Sequence, residues 1–182
     1  REPQSIESYA ALACIAIQSN QNDQHGGQSV PNFDYALAVG VRKTYKRAYL
    51  KNLAEILDFM YDIDDKEGLV KQIGTDIEEQ YGVCPCMAWD NNYLELEAEQ
   101  LKKHIPEEDI AKVQKKAVKF ADEEIEKRTY QAMEALIHNL NTMHSRAGAQ
   151  VPFSSINYGT DTSPEGRLVM KSILLATQAG LG

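Results

Sequence analysis

The sequence is short of positive charge, sparing in cysteine and tryptophan, and free of long apolar runs, and each shortage excludes a class of protein. Its 19 Lys and Arg stand against 27 Asp and Glu, a formal charge of −8. A chain of that sign is repelled by nucleic-acid phosphates and by anionic lipid, which argues against a nucleic-acid polymer or a membrane as partner. The longest apolar run, Ala10 to Ile17, falls well short of the ~20 residues a membrane helix needs, and no charged start precedes it as in a signal peptide. Only Cys14, Cys84 and Cys86 represent cysteine. An odd count in a chain too large to need disulfides favours a reducing interior over a secreted framework. These shortages predict a soluble cytoplasmic protein.

What is present is ordinary for a globular chain. A hydrophobic share of 43% with 25% charged residues excludes disordered and fibrous classes. A chain of this size buries about 70% of its unfolded surface, enough for one core without staples. The chain opens at Arg1-Glu2-Pro3 and stops at Leu181-Gly182 directly after an apolar helical pattern. Both ends are therefore expected to continue into a longer polypeptide.

Helical periodicity dominates residues 1–150. Ile6, Tyr9, Ala10, Ala13, Cys14, Ala16 and Ile17 recur at spacings of three and four over Ser5 to Ser19, with small residues nearly all round. That pattern predicts a closely packed, mostly buried helix. The polar stretch Asn20 to Gln28, with Gly26-Gly27, ends it. Pro31-Asn32-Phe33 opens a short segment to Val39, punctuated by Gly40. From Val41 to Ile63 the set Tyr45, Tyr49, Leu53, Ile56, Leu57, Met60 and Ile63 marks a long helix, and another is predicted over Glu67 to Gln80, stopped by Gly82. Tyr81 to Asp90 reads as a loop, followed by Asn92 to His104. Pro106 sits where a first helical turn accepts proline, and the apolar period then holds to His144, roughly 58 Å of helix at 1.5 Å per residue. So long a rod is expected in a bundle, at a subunit interface.

After Gly148 the pattern changes. Val151 to Tyr158 is strand-like, Gly159-Thr160-Asp161-Thr162-Ser163-Pro164 is a tight polar loop, and Glu165 to Ala179 reads as a helix with Leu168, Val169, Ile173, Leu174 and Thr177 inward. No linker or repeat interrupts the chain, so a single domain over 1–182 is expected. It is mainly α, a long-helix bundle with a few short strands, with 1–150 mostly helical and 151–182 forming the strand-loop-helix unit.

Two polar constellations invite a ligand. In Asn20 to Gln28, backbone N–H groups beside two glycines can cradle an anion and His25 can exchange a proton near neutral pH, although a solvated turn has the same composition. In Gly159 to Gly166, a helix start after a strand, hydroxyls on Thr160, Thr162 and Ser163, and Arg167 one turn in suit a phosphate, although a plain cap looks the same. Along the strand, Ser155 and Asn157 share one face and Ser154 the other. Either a small molecule or water can satisfy that face. Arg146 and Gln150 precede it.

Other groupings fail on spacing. Asp62 to Gly68 has its glycine one place late for a calcium loop and lacks the closing Glu. His138 and His144 are six residues apart and do not share a helix face for a metal. Cys84 and Cys86 lack a second pair for zinc. No Gly-x-Ser-x-Gly or Ser-His-Asp arrangement is present.

The stretches Gln4-Ser5-Ile6 through Gln24-His25-Gly26-Gly27-Gln28, and His144-Ser145-Arg146-Ala147-Gly148-Ala149-Gln150-Val151-Pro152-Phe153-Ser154-Ser155-Ile156-Asn157-Tyr158-Gly159-Thr160, resemble the anaerobic (class III) ribonucleoside-triphosphate reductases. With the intervening helices the resemblance covers essentially the whole chain. It implies an internal section of a glycyl-radical enzyme built on a ten-stranded α/β barrel. A radical S-adenosylmethionine activase installs the glycyl radical, a cysteine thiyl takes the 3′ hydrogen of a ribonucleoside triphosphate, and formate is the common reductant. It further implies deoxynucleotide effectors near a helical homodimer interface, ATP as an effector of the full-length enzyme through an N-terminal ATP-cone that this sequence lacks, and zinc in the C-terminal region. The radical Gly motif and the thiyl Cys context are absent from this sequence, so no catalytic residue and no metal ligand is expected in it. Residues carried over as substrate-binding are Gln24, His25, Gly26, Gly27, Gln28, Arg146, Gln150, Ser154, Ser155 and Asn157. Thr160, Thr162, Ser163 and Arg167 form the adjoining phosphate seat. The rival expectation is a helical interaction or regulatory module without catalysis.

Overall fold

The computed structural model describes residues 2–24, 26–61, 63–144, 151 and 153–180. Its elements, in chain order, are α1 (Ile6–Asp23), β1 (Gln28–Val30), α2 (Phe33–Met60), α3 (Lys66–Tyr81), α4 (Tyr93–Leu101), α5 (Glu107–Thr142), β2 (Ser154–Ile156) and α6 (Pro164–Ala179). The fold is mainly helical, as expected, and the strands form one two-stranded parallel sheet among the described residues. Among them too, no helix is long and apolar enough to cross a membrane.

Contacts gather in two compact units, Arg1–Thr44 with Glu126–Gly182, and Tyr45–Ile125. The division falls inside α2 and at the Ile125 position of α5, not in a linker. For that reason no Pro-, Gly- or Ser-rich stretch marks it in the sequence.

The first unit is built on the crossing of α1 and α2. Ile6, Ala10, Cys14 and Ile17 of α1 and Phe33, Leu37, Ala38 and Val41 of α2 are buried, with Met133 and Leu136 of α5 and Leu168, Val169 and Ile173 of α6. Gly40, expected to punctuate the chain, lies inside one continuous helix instead. A Cβ there would fall 2.9 Å from the Tyr9 ring and 3.1 Å from the Ile6 Cα. The glycine thus serves close helix approach rather than a break. Next to it, Thr44 Oγ1 accepts the Ile6 N–H at 2.9 Å and donates to the Gly40 carbonyl at 2.8 Å, satisfying one of the orphan donors at the start of α1.

Four other expectations change. α1 continues past Ser19 to Asp23, because Gln21 turns inward and donates to the Val151 carbonyl. It is buried on one face only, leaving Leu12 and Ile15 more than half exposed. On α6, Leu174 and Thr177 point outward, while Ser172 and Ala176 take the inward positions, which shifts the buried stripe by one side of the helix. β2 is confined to Ser154–Ile156, shorter than the expected run from Val151 to Tyr158.

The second unit packs Tyr45, Tyr49, Leu53 and Leu57 of α2 with α3, α4 and the first part of α5. At its centre Glu97 is fully buried. Its Oε2 accepts from the Tyr49 hydroxyl at 2.6 Å and from Gln114 Nε2 at 2.9 Å. Glu97 Oε1 and the Tyr93 hydroxyl are among the buried side-chain atoms without a hydrogen bond of regular geometry. Burial pushes the Glu97 carboxyl up to about 7, against the lowering effect of its Tyr49, Gln114 and Tyr93 neighbours. Burial therefore favours the neutral acid here far more than water does.

Two outcomes follow from this packing. Gly40→Ala should lower the stability of the first unit by about 1–3 kcal/mol through overpacking at the α1–α2 crossing, read by urea melts. An unchanged midpoint would mean that the helices do not approach so closely. For Glu97 the folded value lies above the ordinary 4.3, so stability falls as pH rises from there to about 7 and is flat beyond. Glu97→Gln should abolish that fall and exceed the wild type at pH 8 by a few kcal/mol, whereas parallel pH profiles would contradict a neutral Glu97.

Candidate functional site

The two segments singled out in the sequence, separated by the whole helical middle of the chain, meet in the sheet. β1 and β2 run parallel with Gln28 opposite Ser154, Ser29 opposite Ser155 and Val30 opposite Ile156. Bonds flanking the ladder extend the pairing: Gln28 N–H donates to the Phe153 carbonyl (2.8 Å), Asn157 N–H to the Val30 carbonyl (3.0 Å) and Phe33 N–H to the Asn157 carbonyl (2.9 Å). The last of these ties the start of α2 to the end of β2.

Beyond β2 the chain turns at Gly159, whose φ of +113° lies in the region glycine reaches without cost. The turn makes a concave row of backbone donors. The N–H groups of Gly159, Thr160 and Asp161 all point to Oδ2 of Asp34, at 2.8, 3.0 and 2.9 Å. Asp34 belongs to the first turn of α2 and is fully buried; its Oδ1 accepts the Tyr35 N–H at 3.1 Å. Burial by itself raises the Asp34 carboxyl, but the donors from Asp161, Gly159, Tyr35 and Thr160 outweigh it and hold its pKa below the ordinary value. From the same helix end, the Tyr35 hydroxyl donates to the Thr160 carbonyl at 3.2 Å.

The helix start that follows is likewise satisfied from within. Ser163 caps α6 by accepting the Gly166 N–H at 3.1 Å, its own N–H donates to Asp161 Oδ1 at 2.9 Å, and Pro164 brings no donor. Glu165, buried, lies 3.7 Å from Arg42. The dipole end of α6 is therefore surrounded by the carboxyl groups of Asp34, Asp161 and Glu165, all at most 4% exposed.

Of the expected site residues, Gln24 is the exposed C-cap of α1, and Gly26 and Gly27 are exposed, Gly27 with its backbone against the Phe153 ring. Gln28 is buried in β1, where its side-chain oxygen accepts from Asn20 Nδ2. Ser154 is half-buried; Ser155 and Asn157 share the exposed face, with Ser29 beside Ser155. Thr160, Thr162 and Arg167 are exposed, and Ser163 is half-buried as the cap. His25, Arg146 and Gln150 lie outside the described residues. Among the described residues no group of three or more His, Cys, Asp or Glu gathers to hold a metal.

Sequence reading missed Asp34, Tyr35 and Asp161. An acid in a first helical turn is common enough to carry no long-range signal, whereas Asp161 two residues before Ser163 is a recognisable side-chain turn. Because the folded pKa of Asp34 is depressed, its stabilisation is complete above the ordinary carboxyl value of about 3.9 and is lost as pH falls through the folded value. Asp34→Asn should therefore cost about 2 kcal/mol at pH 7, the scale of hydrogen bonds to a charged group, and progressively less in acid. Thermal melts across pH that show no convergence of variant and wild type would contradict the ionised cradle.

Residues 1–182 match the sequence profile of the family described as anaerobic ribonucleoside-triphosphate reductase. Over 63 residues the chain is 41% identical to the anaerobic ribonucleoside-triphosphate reductase of Salmonella typhimurium, a stretch equal to 35% of this chain and 9% of that protein. The protein of the same name from Escherichia coli is 40% identical over 63 residues, 35% of this chain and 9% of its own length. That from Haemophilus influenzae is 32% identical over 90 residues, 50% of this chain and 12% of its own. Each matched stretch is thus a small part of a much longer protein. The profile runs through both strands of the sheet, the Asp34 turn and every helix, and the chain belongs to the anaerobic ribonucleoside-triphosphate reductase family.

Proposed function

We infer that this chain is a section of the catalytic subunit of an anaerobic ribonucleotide reductase, which reduces ribonucleoside triphosphates to deoxyribonucleoside triphosphates for DNA synthesis by glycyl and thiyl radical chemistry. The observation that carries this reading is convergence. The first segment that resembles the reductases ends at Gln28, which opens β1, and β1 pairs in parallel with β2 of the second segment, far away in sequence, with a polar loop at the end of the sheet. In this reading β1 and β2 belong to the ten-stranded barrel of the whole enzyme. The exposed face of Ser155 and Asn157, with Gln24 to Gln28, Arg146, Gln150 and Ser154, borders the nucleotide pocket.

The α6 end needs a specific chemistry. The N–H groups of Gly159, Thr160 and Asp161 already serve Asp34 and that of Gly166 serves Ser163, so triphosphate oxygens are met by the exposed side chains of Thr160, Thr162 and Arg167 rather than by these donors. A guanidinium suits that task, since it offers forked, charge-assisted hydrogen bonds. Deoxynucleotide effectors bind toward the helical side, where α2 and α5 supply the homodimer interface. The reacting hydrogen is taken elsewhere in the enzyme: the radical glycine, the thiyl cysteine, the formate site and the zinc ligands are assigned to parts of the protein outside this sequence, and Cys14, Cys84 and Cys86 have no radical role. The activase is a partner of the whole enzyme, which works in the cytoplasm.

Calorimetric titration with ATP tests the nucleotide reading. Arg167→Ala should weaken binding about tenfold, the scale of one charge-assisted hydrogen bond, with an unchanged melting temperature because Arg167 is exposed. A folded wild-type chain that binds no nucleoside triphosphate would contradict the reading.

A further inference from the structure

The donor row at Gly159, Thr160 and Asp161 is the most complete anion receptor among the described residues, and the protein fills it with its own carboxylate. Successive backbone N–H groups converging on one point form the concavity that elsewhere takes phosphate. Here the occupant comes from α2, is fully buried, and carries its charge with the support of four N–H groups. Tyr35 holds the opposite side of the turn through the Thr160 carbonyl. Both anchors sit at adjacent positions, at the helix start that Phe33 N–H ties to the end of β2. The loop is therefore fixed by groups behind it, and none of its backbone donors named here is left for a ligand.

Resting on the nucleotide reading above, we propose that Asp34 is the positioning residue of this site: its carboxylate stands in for a bound anion beneath the Gly159–Asp161 turn and holds Thr160, Thr162 and Arg167 in the array that meets the nucleotide. The charge does two jobs. It sets the turn before any ligand arrives, so that ordering the loop is not left to binding. It also excludes phosphate from the backbone cradle, since a second anion there would face a full negative charge at hydrogen-bond distance. The triphosphate is thereby directed to the exposed side chains.

Chemical complementation separates this role from a purely structural one. Removing the carboxylate in Asp34→Ala leaves a hole the size of formate in front of three N–H donors. ATP affinity and melting temperature are measured for wild type and Asp34→Ala in formate, with chloride at equal ionic strength as control. The expected result is binding weakened about tenfold or more in Asp34→Ala, with formate and not chloride restoring both affinity and melting temperature. Should the alanine variant not fold, Asp34→Asn keeps the shape without the charge, and the same loss of ATP affinity is expected at a near-native fold. ATP affinity equal to wild type in folded Asp34 variants overturns the positioning role and leaves the nucleotide reading intact. Tighter ATP binding by Asp34→Ala also overturns it, because the emptied cradle is then the phosphate seat. Restoration of stability by formate in a chain whose wild type binds no ATP sinks the nucleotide reading and the role toward a ligand with it, while the anion cradle stands.

Discussion

The buried Asp34 carboxylate, taken up by the backbone of the turn after β2, is the interaction on which the first unit depends. Burying an ionised carboxylate costs several kcal/mol. Against that stand four N–H donors, each bond to a charged acceptor contributing about 1.5–3 kcal/mol. Together the donors outweigh that cost and hold the Asp34 carboxyl below its ordinary value. The consequence reaches past the pair itself. One side chain at the start of α2 binds the turn between β2 and α6, and hydrogen bonds from the Phe33 N–H and the Tyr35 hydroxyl tie the same helix start to both sides of it.

That arrangement also bears on how an acidic chain could meet the proposed triphosphate. A chain of net charge −8 is a poor global attractor for a triphosphate. At physiological salt, however, charges farther off than about 8 Å are largely screened, so the local set decides. Locally, Asp34, Asp161 and Glu165 crowd the start of α6 and consume its dipole, and Arg42 pairs with Glu165. Arg167 lies exposed one turn into the helix, and in the proposed reading it is the cation that meets the triphosphate. A helix N-terminus is therefore not automatically an anion site. What its donors already hold matters more than its dipole.

Much of the fold was legible in the sequence because helical period and caps are local signals. α3, α5 and α6 fall within two residues of expectation at either end, and Ser163 caps α6 as its Ser-Pro start suggests. Gly40 misled because glycine has two uses, a flexible joint and a place for a neighbour to approach, and only the tertiary partner Tyr9 tells them apart. The outward turn of Leu12, Ile15 and Leu174 was hidden for a related reason: small or apolar residues all round a helix say nothing about which faces find partners. At the candidate site the hydroxyl and amide residues were visible as a polar cluster, but Asp34 was not. Three of its four partners are backbone N–H groups more than a hundred positions away, and backbone donors leave no trace in residue type.

The central claim is that Asp34 is ionised and bound by the Gly159–Asp161 turn. A carboxyl-carbon NMR titration, followed together with the amide resonances of Gly159, Thr160 and Asp161, reads both halves at once. The account expects the Asp34 carboxyl to titrate below the ordinary aspartate value and the three amides to shift with it at the same midpoint. An Asp34 midpoint at or above the ordinary value, with amides that ignore it, would contradict the account.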